Sequence, residues 1–99
     1  MSSRQRARTM QEYTTTLAPA ATLDAAKSFF SGRNNIYSAF LEQESAQHIT
    51  MRGQGGEELV IGVIADGQGT RITGSTYLFD QQIARFFATL PPAASQAAP

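Results

Sequence analysis

The chain has 99 residues, with eight basic side chains, eight acidic ones, one histidine and no cysteine. That inventory excludes disulfides and thiolate chemistry and fits one small domain. No run approaches the roughly 20 apolar residues of a membrane span. The leading arginines lack the apolar core of a secretory signal behind them, so a cytoplasmic protein is expected.

Residues 1–8 carry Arg4, Arg6 and Arg8 and are expected to be a disordered basic tail. Residues 91–99 contain only Pro, Ala, Ser and Gln and are expected to be a second tail. Neither has the apolar surface that would offset ordering entropy. Residues 9–90 then form a single domain in which five basic residues face eight acids, a net charge of −3. An acidic domain argues against a duplex-binding surface, because phosphate neutralisation dominates nucleic-acid affinity. The arginines read most simply as a solvated terminus, with contact to an anionic partner as the functional alternative.

Residues 10–17 are rich in Thr and Tyr, with Tyr13, Thr15 and Leu17 on one side, which predicts an edge or half-exposed strand ended by Pro19. A helix is predicted over 22–31, with Thr22 as N-cap, Asp24 in the first turn, and Leu23, Ala26, Phe29 and Phe30 on one face. Gly32 stands where that helix should stop.

Residues 36–44 and 47–52 read as two strands around a turn at Ser45-Ala46, followed by a glycine loop at 53–56. Residues 57–65 and 70–78 are the strongest strands, joined through Asp66-Gly67-Gln68-Gly69. That turn registers Ala65 with Thr70, Val63 with Ile72, Ile61 with Gly74, and Leu59 with Thr76. One face then carries Leu59, Ile61, Val63, Ile72 and Leu78, and the other Val60, Gly62, Ile64, Arg71, Thr73, Ser75 and Tyr77.

The glycine loop permits two registers, Thr50 or Met51 opposite Leu59. Burial favours the second, because a one-residue slip would turn every side chain over. A last helix begins at Asp80 as its cap, with Phe79 before it as a staple residue and Pro91-Pro92 as its stop. Its Ile83, Phe86, Phe87 and Leu90 share one face. Gly74 leaves a gap on the core face that Phe86 or Phe87 could enter. The order β-α-β-β-β-β-α predicts an α+β fold, a curved antiparallel sheet packed on one face by the C-terminal helix and a short N-terminal helix.

Chemistry-bearing candidates are few. Glu42, Glu44 and His48 form the one cluster resembling an acid–base or metal site. A two-residue turn at 45–46 puts Glu42 and His48 on opposite faces, whereas an odd-length turn aligns them. Solvated strand residues are the plainer reading, and no metal or cofactor is expected. Arg52 with the glycine loop could cradle an anion, but Glu57 and Glu58 follow at once and repel one. No serine lies in a nucleophile elbow, and a single histidine offers one possible base, so catalysis is not favoured.

Tyr37, Phe40 and Phe86 are candidates for lining a small apolar pocket, though aromatics of so small a domain are commonly its core. Val60, Ile64 and Tyr77, with Arg71 and Thr73, make a half-apolar sheet face that nothing in the chain covers, so a subunit, partner or ligand is expected there.

The phrase Gly69-Thr70-Arg71-Ile72-Thr73-Gly74 followed by a C-terminal helix, within this element order, resembles the helix-grip domains of the START and polyketide-cyclase-like superfamily and the TBP-like folds. That resemblance implies a sheet gripping the last helix and, in the helix-grip case, an apolar small molecule as ligand. The expectation from the residues is a non-catalytic interaction or oligomerisation module using the open sheet face. The alternatives are a small carrier of an apolar molecule and a cyclase- or isomerase-like enzyme.

Overall fold

A computed structural model describes residues 9–32, 39–67, 69–76 and 79–93. The α+β order holds: β1 (Thr9–Thr15), α1 (Pro19–Phe30), β2 (Ala39–Glu44), β3 (His48–Gly53), β4 (Glu58–Asp66), β5 (Gly69–Thr76) and α2 (Asp80–Ala88). The strands form one open antiparallel sheet in the order β1-β5-β4-β3-β2, so β1 and β2 are its edges.

The registers follow from burial. β4 pairs with β5 through Val63 and Ile72, Ile61 and Gly74, and Leu59 and Thr76. β3 pairs with β4 through Met51 and Leu59, and Ile49 and Ile61, the register that completes the apolar face. Leu59, Ile61, Ile49 and Ile72 retain no exposed surface. A buried side chain of that kind contributes about 1.5–3 kcal/mol over an exposed one, which makes a slip costly.

Both helices cover this face. α2 buries Ile83, Phe86 and Phe87, and Leu90 just past its end is buried with them, the positions the spacing predicts. The Phe86 ring lies 5.5 Å from Phe29 and 5.4 Å from Phe30 of α1, which ties the two helices together over the sheet.

Several local expectations are corrected. α1 starts at Pro19, not Thr22, with Ala18 as its N-cap. Proline suits the first helical position because its missing N–H would have had no partner there. Thr22 is instead buried in the first turn, its Oγ1 donating to the Ala18 carbonyl at 2.9 Å. In α2 the N-cap is Phe79, and Asp80 is the first helical residue, where its charge faces the positive end of the dipole.

The gap at Gly74 takes an aliphatic side chain, not an aromatic one. A Cβ there would lie 2.8 Å from Ile83 Cγ2. Gly53 belongs to β3 and not to the loop: it pairs with Ala39, and the Phe79 ring occupies the space a side chain there would need. Pro91–Pro92–Ala93 are likewise part of the folded unit, not a tail. The Ala93 N–H donates to the Thr14 carbonyl at 3.0 Å and the Pro91 carbonyl accepts from Thr16 N–H at 3.2 Å, so this segment covers one end of the outer edge of β1. Residues 1–8 and 94–99 lie outside the described residues, as do Tyr37, Tyr77 and Leu78.

Candidate functional site

The side of the sheet turned away from the helices is built in cross-strand rows. Met10, Ser75, Val60, Thr50 and Gln43 follow one another across all five strands. Glu12, Thr73, Gly62 and His48 form the next row, and Thr14, Arg71 and Ile64 the one beyond. On the other flank stand Glu58, Arg52 and Phe40. Alternation along each strand puts these residues opposite the core set.

Apolar exposure concentrates here. Met10 is 69% exposed, Ile64 60% and Phe40 57%, while Val60 is half-buried. Gly62 puts no side chain between Val60 and Ile64 on the same strand. The Thr73 hydroxyl leans over it, 3.0 Å from where a Cβ of residue 62 would stand.

Charge on this face gathers around two arginines. Arg52 Nη2 lies 2.8 Å from Glu42 and 3.8 Å from Glu58. Arg71 lies 3.5 Å from Asp66 and 4.0 Å from Glu12. Each guanidinium is thus shared by two carboxylates, and the face is acidic overall. Hydrogen bonding to Arg52 holds the Glu42 carboxyl below the ordinary glutamate range, and the same bond raises Arg52.

A β-bulge brings Glu42 onto this face. Leu41 pairs with Met51 but Gln43 pairs with Thr50, leaving Glu42 as the extra residue. The Ser45 N–H donates to the His48 carbonyl at 2.8 Å, which closes the turn over Ser45–Ala46–Gln47–His48. The pairs beside this turn, Gln43 with Thr50 and Glu44 with Ile49, lie two residues along from the register of a two-residue turn at 45–46 and keep its facing, and the bulge beyond them turns Glu42 over to the face of His48.

The acid–base cluster nevertheless does not assemble. Glu42 is bound to Arg52, and Glu44 points to the helix side and accepts from Lys27 Nζ at 2.9 Å. His48 Nδ1 meets Ser45 Oγ at 2.7 Å within the turn. Among the described residues no three His, Cys, Asp or Glu side chains group as metal ligands.

The glycine loop satisfies itself. Gly55 N–H donates to Glu57 Oε1 at 3.0 Å and Arg52 Nη1 to the Gly56 carbonyl at 3.0 Å. Its amide and its cation therefore already have partners, and the anion cradle weighed from the sequence loses its donors.

Phe40 and Phe86 do not share a pocket. Phe86 is fully buried under the helices, whereas Phe40 stands on the opposite side of the sheet. The space between sheet and helices is filled by Phe86, Ile83, Ile61 and Met51. A shallow depression of about 190 Å³ lies instead beside α1, where Leu23 and Lys27 face Glu44 and Ser45.

Val60, Ile64, Arg71 and Thr73 thus fall together on the open face. Met10 and the carboxylate Glu12 of β1 were not singled out from the sequence, because which strand flanks β5 is a long-range pairing that alternation does not reveal. No family model, curated protein or solved structure matches the chain. No helix among the described residues is long and apolar enough to cross a membrane.

Proposed function

We propose that the protein is a non-catalytic interaction and oligomerisation module whose open sheet face is the binding surface. The observation that carries the reading is the contrast between the two sides of one sheet. The helix side is filled, and the open side keeps Met10, Phe40 and Ile64 in solvent with Val60 between them. An exposed apolar group of this kind, rimmed by charge, is the usual composition of a protein contact surface.

The separation of Glu42, Glu44 and His48 supports a non-catalytic reading, since acid–base work needs groups converging on one reacting atom. The filled interior and the separation of Phe40 from Phe86 weigh against the apolar-carrier alternative.

Sedimentation velocity of the wild type beside Ile64→Gln and Phe40→Gln, which remove apolar surface without adding charge, tests the reading. Both positions are exposed, so both variants should keep the fold. Association that grows with concentration in the wild type and is lost in the variants is expected. Equal sedimentation of all three, as monomers at tens of micromolar, would count against the module.

A further inference from the structure

Resting on that reading, we infer that the open face is occupied by the arginine-bearing stretch of residues 1–8 of a second copy of this chain. The first argument is charge. The face holds Arg52 and Arg71 against Glu12, Glu42, Glu58 and Asp66, so a cationic occupant is favoured over a second, equally acidic face. Two identical acidic faces pressed together would set like charges against each other.

The second argument is periodicity. Arg4, Arg6 and Arg8 recur at every second position. An extended stretch therefore presents all three guanidinium groups on one side, with Gln5 and Ala7 on the other. From Arg4 to Arg8 such a stretch spans about 14 Å. The row Glu12–Thr73–Gly62–His48 crosses four strands. At about 4.8 Å per strand spacing that is also about 14 Å. Gly62 and Thr73 are the small residues of this row, so a chain can approach the sheet there, between Val60 and Ile64. Glu12 stands at one end of this row, where an arginine of the stretch meets it.

The third argument selects the second copy. Residue 8 immediately precedes Thr9, which is already paired with Thr76 at the edge of the sheet. To cross its own face the segment would have to reverse at once. A neighbouring copy needs no reversal, and reciprocal exchange of the two segments closes a two-fold dimer.

A nitroxide at Ser3→Cys tests this, and the absence of any native cysteine makes the label unique. Unlabelled-isotope chains carrying the nitroxide are mixed with full-length 15N-labelled chains. Broadening of the Gly62 and Thr73 amides, abolished in about 1 M salt where screening shortens to roughly 3 Å, is expected. In parallel, Arg4→Gln/Arg6→Gln/Arg8→Gln should weaken association by roughly tenfold or more.

Absence of intermolecular broadening overturns the inference. So does broadening that is seen only when nitroxide and 15N label sit on the same chain and that survives dilution. If the triple variant associates like the wild type while Ile64→Gln does not, the occupant is wrong and the binding face stands.

Discussion

The rings of Tyr13 and Phe87 stack, with centroids 5.1 Å apart and planes inclined by 16°. The Tyr13 hydroxyl also donates to the Leu90 carbonyl at 3.3 Å, at the end of α2. One side chain of an edge strand thus holds the last helix by its face and by its hydroxyl. Tyr13→Phe should cost about 0.5–1.5 kcal/mol, the net worth of one hydrogen bond. Tyr13→Ala should cost roughly 3 kcal/mol, because stacking and apolar contact go as well. Urea unfolding followed by circular dichroism measures both.

Gly74 and Ile83 make a second pair that a double-mutant cycle can read. A methyl at residue 74 would stand 2.8 Å from Ile83 Cγ2 and 3.0 Å from its Cδ1. Gly74→Ala should therefore destabilise by about 1–3 kcal/mol, although the same exchange in an uncrowded strand would help. In an Ile83→Ala background both contacted atoms are gone, and adding the methyl should cost little. Additive costs from the two substitutions would show that the two residues do not meet.

The edge strand β2 is attached by charge on both of its sides, to Arg52 on one and to Lys27 on the other. Because Arg52 holds Glu42 below its ordinary pKa, the stability this carboxylate adds is present above the unfolded glutamate pKa. It is lost as the pH falls through the depressed folded value. Glu42→Gln should lower stability slightly at neutral pH and make no difference once the carboxyl is protonated, so the acid limb of the stability profile flattens. Lys27 is raised, mainly by its hydrogen bond to Glu44, so its contribution persists below 10.5 and fades as pH rises through the folded value. Glu44→Gln should flatten that alkaline limb. Thermal unfolding followed across the two pH ranges reads both effects.

Short-range pattern carried most of the architecture. The period of Ile83, Phe86, Phe87 and Leu90 located the last helix, and burial of Ile49 and Met51 chose the register of β3 against β4. What the pattern did not contain was tertiary competition for small spaces. Ile83 fills the gap at Gly74 because it directly faces the sheet, and Phe79 claims the space over Gly53. The bulge at Glu42 was equally illegible, since one extra residue in a polar edge strand changes no alternation that burial could enforce. Pro91 and Ala93 looked like a tail for lack of apolar side chains, yet it is their backbone that bonds to β1.

Glu12 and Arg71, 4.0 Å apart on neighbouring strands, frame one flank of the open face. Glu12 is an exposed position, so Glu12→Arg should leave unfolding nearly unchanged while reversing the charge of that flank. The acidic face then loses its preference for a cationic occupant, and association should weaken and become less sensitive to salt. Sedimentation across a salt series reads both effects.

The most direct measurement is sedimentation equilibrium of the full chain beside Ile64→Gln, with urea unfolding of each to verify an intact fold. The open-face reading expects a reversible self-association in the wild type that Ile64→Gln weakens without lowering stability. A monomer in both proteins at tens of micromolar, or an oligomer in both with the same association constant, would contradict it.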